Sequence, residues 1–217
     1  MAKLIEVHPD DPQPRRVGKI VQAIRDGGLI AYPTDSSYAL GCHVGDKRGM
    51  ERIRRIRALD SRHNFTLVCR DLSEIATYAR IDNSAYRLLK ALTPGPYTFI
   101  LRATHEVPRR LQNPKLKTIG IRIPDHVIAQ ALLDELGEPL MSSTLILPGR
   151  DMPETDAESI REQLEHAVDL VIGGHNNQRF ACLDEAEEGK PPKLRRAKLS
   201  ERFRVERGIV ALFEDYG

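Results

Sequence analysis

The alternation of two hydrophobic periods along the chain, with a turn signal at nearly every switch, limits its possible folds more than any other feature. Val17, Ile20, Val21 and Ile24 recur at helical spacing, and Gly27-Gly28 ends that helix. The apolar run at 29–32 follows at once as a buried strand. Met50, Ile53 and Ile56 mark a second helix whose other faces are arginine, and 65–69 reads as a strand. Asp71 with Glu74 has capping-box spacing and opens a short helix to about Ala79. Residues 85–92 form the next helix, stopped by Thr93-Pro94-Gly95-Pro96. Strands follow at 97–102 and 118–123, a helix at 126–136 and a strand at 139–144. Thr155 with Glu158 opens a helix to about Ala167, and 168–172 is the last strand before Gly173-Gly174. Helices interleaved with strands in this way predict a single α/β domain around a twisted, open, mixed sheet over residues 1–175.

Beyond Gly174 the periodic apolar positions thin out and charges dominate, so 176–217 is expected to be an atypical charged extension, weakly structured or extended. A chain of 217 residues buries roughly 70% of its unfolded surface and needs no staple. Three separated cysteines, Cys42, Cys69 and Cys182, with no CxxC, argue against a disulfide framework or zinc site. No apolar run approaches a membrane span, and the N-terminus lacks a signal-peptide core. A reducing cytoplasm is therefore the expected compartment, with no membrane partner. There is no P-loop and no GxGxxG.

Net charge is only +2, but its distribution is uneven. Residues 47–62 are dense in arginine, and 102–122 carries six cations against Glu106 alone. Acids collect at 151–169 and 185–188. Such a chain can present one positive face, or simply solvated helix faces.

Several polar residues sit where a ligand would meet them. Thr34 and Tyr38 follow a buried strand at the Pro33 turn, where an α/β crevice opens; on the residues alone a turn cap and a packed ring are the simpler explanation. Thr118 and Arg122 lie four apart on a strand and share a face, which suits a phosphate or carboxylate or a solvated surface. Ser142, Ser143 and Thr144 make a hydroxyl-rich strand end. His43, His63 and His126 lack ligand spacing and read as surface or capping histidines, and Cys69 as a core thiol.

Four segments carry a resemblance: PTDSSYALGC at 33–42, TPGPYTFIL at 93–101, KTIGIRIP at 117–124 and PLMSSTLILPG at 139–149. In this order and spacing the set resembles the YciO/YrdC family, which includes the threonylcarbamoyl-AMP synthases, and is most similar to the YciO branch. The resemblance covers roughly residues 5–175. It implies a twisted open sheet with a concave basic face. It also implies a site that joins L-threonine, bicarbonate and ATP into threonylcarbamoyl-AMP, for threonylcarbamoyladenosine formation on tRNA. ATP with Mg²⁺ would be a substrate, not a tightly bound cofactor. Carried over residue by residue, the nucleotide and substrate contacts would be Thr34, Tyr38, Arg57, Thr118, Arg122 and Ser143. The family's second implied activity is binding of tRNA or double-stranded RNA, here through Arg52, Arg55, Arg62, Arg109, Arg110, Lys115, Lys117 and Arg122.

Two departures matter. Where the synthases have K-x-R this chain has Arg57-Ala58-Leu59, and where they have S-x-N it has Ser143-Thr144-Leu145. Leucine donates nothing at either place, and each lost charge-assisted contact costs about 1.5–3 kcal/mol. The expectation is an RNA-binding protein of the YciO type, with an active or weakened synthase as the alternative; residue 59 is expected to face the ligand.

Overall fold

The computed structural model describes residues 1–60, 63, 65–150 and 152–174, and the backbone of 203–206 and 209–212. The Arg62 expectation lies outside the described residues. Helices α1 (Pro14–Arg25), α2 (Lys47–Arg57), α3 (Leu72–Tyr78), α4 (Asn83–Leu92), α5 (Val127–Leu136) and α6 (Ala157–Gln163) alternate with the strands of one mixed sheet. Those strands are β1 (Lys3–Glu6), β2 (Ile30–Pro33), β3 (Tyr38–His43), β4 (Thr66–Val68), β5 (Ala79–Arg80), β6 (Thr98–Ala103), β7 (Thr118–Arg122), β8 (Leu140–Thr144) and β9 (Leu170–Gly173). Two more, β10 (Phe203–Glu206) and β11 (Ile209–Leu212), lie in the charged extension, where no strand was expected. The spatial order is β1-β9-β2-β3-β8-β4-β7-β6-β11-β10, with β5 beside β6. Parallel pairs (β1–β9, β2–β9, β4–β7, β6–β11) sit beside antiparallel ones (β2–β3, β3–β8, β4–β8, β6–β7).

Side-chain caps set several helix starts. Asp46, Asp71, Asp82 and Asp156 each accept a backbone N–H from the first turn. The Thr155 cap is thus corrected to Asp156, one residue on, because its carboxylate reaches Ser159 N at 2.7 Å. Glu74 accepts from Arg70 N at 2.6 Å, so it braces the residue before the cap.

The two sheet faces are covered unequally. One face packs α2, α3, α4 and α6 through Met50, Ile53, Ile75, Leu89 and Ile160. On the other, α1 and α5 cover β9, β2 and β3 through Ile20, Ile24, Ile128 and Leu132. That apolar cluster stops at Val68 of β4 and Leu140 of β8. Past them the same face carries hydroxyls: Thr66 pairs across with Ser142 on one side and Gly120 on the other.

Candidate functional site

A cleft opens where the apolar layer ends. Thr66, Thr98, Ser142 and Thr144 are among the residues that line it, with Thr34 and Arg122 on its wall. Alternation along the strands puts these hydroxyls on one face. Beneath them Tyr32 Oη and Ser142 Oγ share a 2.9 Å hydrogen bond, and Ser142 Oγ donates to Leu40 O at 3.0 Å. Burial pushes the Tyr32 phenol up to about 12.

The turn between β2 and β3 forms the upper wall. Thr34 Oγ1 donates to Ser37 O at 2.7 Å and accepts from Ser36 N and Ser37 N, so the hydroxyl closes its own turn. Arg122, at the end of β7, reaches across to this turn. Its Nη2 donates to the Asp35 carboxylate and to Ser36 Oγ at 2.9 Å.

At the rim, on the α2 side of the sheet and across from the floor hydroxyls, α2 ends at Arg57 and delivers its guanidinium to the end of β8. Arg57 Nη1 donates to Ser143 Oγ, whose other neighbour is His63 Nε2 at 3.3 Å. The His63 ring meets Phe65 edge-on at 5.6 Å, and Arg54 lies 5.5 Å from the centre of that same Phe65 ring. No described carboxylate forms an ion pair with Arg57; its hydrogen bonds go to Ser143 and, at 3.5 Å, to Ile146 O. Burial lowers the Arg57 pKa. Burial also lowers His63, helped by the Arg57 charge. The rim is therefore a half-buried cationic corner that favours an incoming anion.

A pH dependence follows. Because the folded pKa of His63 lies below its unfolded value, the unfolded state takes up the proton first. Its contribution to stability is complete above about pH 6.5 and is lost as pH falls through the folded pKa. His63→Gln should flatten the acid limb of the melting-temperature profile between pH 7 and 5; an unchanged limb would mean that His63 does not carry it.

The structure places Thr34 and Arg122 at this cleft, but not all the expected contacts: Ser143 pairs with Leu40 and turns its hydroxyl to the α2 face of the sheet, where it meets Arg57. Tyr38 is corrected: it begins β3 with the parity of Leu40 and Cys42, so it is buried on the opposite face, where Oη donates to Ile172 O at 2.8 Å. Thr118 shares the Arg122 face but starts β7, about 13 Å of strand away. Leu145 is fully buried in the core, while Leu59 is half-buried and its N–H donates to Arg54 O. Of the cations expected on a basic face, Arg52 is tied to Asp169 at 2.7 Å and to Ala167 O, and Arg110 donates to Gly45 O. Arg55, Arg109, Lys115 and Lys117 are exposed. Sequence reasoning missed Asp35 and His63, although both stand in or beside segments that it singled out.

Comparison with known proteins gives a consistent picture. The Sua5/YciO/YrdC family model, described as "Telomere recombination", matches residues 22–185. The uncharacterized protein YciO of Escherichia coli (strain K12) is 53% identical over 196 residues, 90% of this chain and 95% of that protein. Its crystal structure superposes with a TM-score of 0.78, covering 81% of this chain and 85% of that one. A threonylcarbamoyl-AMP synthase of Chromobacterium violaceum is 35% identical over 174 residues, 77% of this chain and 89% of the synthase. P. abyssi Sua5 complexed with L-threonine is 25% identical with a TM-score of 0.72, covering 80% of this chain and 50% of that one. Among the described residues no helix is long and apolar enough to cross a membrane.

Proposed function

The chain belongs to the Sua5/YciO/YrdC family, and on that premise we propose that its cleft binds ATP and L-threonine and forms threonylcarbamoyl-AMP slowly, releasing pyrophosphate. The observation that carries this reading is Arg57: a half-buried guanidinium without a described carboxylate partner, hydrogen-bonded to Ser143 and facing His63. Burying such a charge is costly unless an anion meets it. The triphosphate supplies that anion, with Mg²⁺ held mainly by the nucleotide's own oxygens. The hydroxyls on the cleft floor supply donors and acceptors for an amino acid or a ribose. Slowness follows from Leu59, which offers no donor where the resemblance to the synthases implies an arginine. Pyrophosphate release from ATP, threonine and bicarbonate tests the reading. Release above a no-enzyme blank that requires threonine supports it, and release equal to the blank removes the synthase role.

A second reading, RNA binding, rests on the exposed cations. Lys115 and Lys117 flank the half-exposed Leu116 in a loop whose Asn113 side chain accepts from Lys115 N and Leu116 N at 3.0 Å. With Arg55, Arg109 and Arg110 they offer phosphate contacts without base readout. A titration with tRNA or double-stranded RNA should lose affinity steeply with salt, and Lys115→Ala with Lys117→Ala should shallow that slope by about two contacts. A salt-independent affinity would contradict phosphate binding.

A further inference from the structure

The ion pair between Arg122 and Asp35 has a geometry that the family reading leaves unused. Both side chains are nearly buried, 13% and 10% exposed. The pair is one-sided. Arg122 uses Nη2 alone for Asp35 and Ser36, while its Nε is buried with no hydrogen-bond partner among the described residues. A guanidinium is built for two parallel bonds to one carboxylate or phosphate. Asp35 takes one of them and turns its second oxygen to Asp125 N at 3.2 Å. Its carboxylate therefore sits in a cradle of one guanidinium and one backbone N–H on the wall of the cleft.

The turn that holds Asp35 is mechanically separable from the sheet. Pro33 and Tyr38 are a register pair, so Thr34 to Ser37 form a closed four-residue turn. Thr34 N donates to Ser37 O at 3.0 Å, and the Thr34 side chain closes the same turn. Asp35 can therefore leave Arg122 by a side-chain rotation while both strands keep their register.

We infer that Asp35 is an internal stand-in for the ligand's anion. A carboxylate or phosphate entering the cleft takes Nε and Nη2 of Arg122 together, and Asp35 swings out to water. The exchange trades a one-bond pairing for a two-bond pairing and satisfies the orphaned Nε, whose burial is otherwise a standing cost. The contact makes the empty cleft self-occupied, so every anionic ligand binds against it. This inference rests on the ligand reading above for its biological ligand, but the cradle itself can be probed with simple anions.

Two measurements test it. In Asp35→Ala the cradle is empty, so acetate or inorganic phosphate should raise the melting temperature saturably, relative to chloride at equal ionic strength. Wild type should show no such rise. Acetate alone would identify an amino-acid carboxylate as the ligand group, and phosphate alone a nucleotide phosphate. In calorimetry Asp35→Asn, which keeps the shape and loses the charge, should bind L-threonine or ATP about tenfold more tightly than wild type. Anion stabilisation equal in Asp35→Ala and wild type overturns the inference. So does wild-type binding of threonine or ATP that Asp35→Asn does not strengthen, and that result leaves the ligand reading intact. If no variant binds threonine or ATP while Asp35→Ala still responds to acetate or phosphate, the cradle stands and the ligand reading alone falls. Should Asp35→Ala not fold, the Asp35→Asn affinity decides.

Discussion

Leu145→Asn should unfold this protein more readily and restore no activity, although the resemblance to the synthases implies an asparagine at that position. Leu145 is fully buried in the main core. Its N–H donates to Tyr38 O and its carbonyl accepts from Glu154 N, both at 2.9 Å, so the backbone is fixed in place. Truncating a buried leucine costs about 2–5 kcal/mol. An unpaired amide adds about 1–3 kcal/mol. A loss of about 4 kcal/mol or more in denaturant unfolding is expected, with ATP affinity unchanged in whatever remains folded. Leu59→Arg should behave in the opposite way. Leu59 is half-buried just past α2, so a long side chain can carry its charge to the cleft or to water. Stability should move by less than about 1 kcal/mol, and ATP affinity should rise roughly tenfold. A sharply lowered melting temperature without gain in affinity would mean that residue 59 does not face the ligand.

The second large effect is at Arg57. Arg57→Ala should weaken ATP binding roughly ten- to a hundredfold, the worth of one charge-assisted contact at a desolvated site. The same variant should melt no lower than wild type. Arg57 is half-buried, burial disfavours its charged form, and no described carboxylate compensates it. This split separates a ligand contact from a structural one, because a structural arginine would lower both affinity and melting temperature. Arg57→Lys should fall between, since an ammonium keeps charge but loses the fork that also reaches Ile146 O.

Much of this fold was legible because apolar period and cap chemistry agree in most elements. The helices around Val17–Ile24 and Met50–Ile56, and the strands at 65–69 and 118–123, stand within a few residues of their expected limits. Strand β3 was hidden because its alternate positions, Ala39 and Gly41, are small and follow a proline turn. Gly41 is small for a packing reason: a Cβ there would meet Leu140 Cδ2 at 2.5 Å. Missing β3 also cost the parity of Tyr38, which is why its hydroxyl was placed in the cleft when it faces the core. Strand β1 is four residues long and half polar, too short to show a period. The strands at 203–206 and 209–212 were masked by the heavy charge of the sequence around them.

The places of Thr34 and Arg122 at the cleft were legible because the one follows a strand and the other ends one. The pairings among site residues were not. Nothing in the spacing of Asp35 and Arg122, or of Arg57, His63 and Ser143, reveals that they meet, since sheet order brings together residues 80 or more positions apart. Position 145 shows the same limit from the other side. Its place after Ser143 fits a ligand loop, and only the burial of its side chain identifies it as core.

Calorimetric titration of ATP, with and without L-threonine, into the wild type and Arg57→Ala tests the central claim most directly. The account requires measurable binding by the wild type, strengthened by threonine, and at least tenfold weaker binding by Arg57→Ala at an unchanged melting temperature. Equal affinity in the two proteins, or no binding of ATP by the wild type at any threonine concentration, would contradict it.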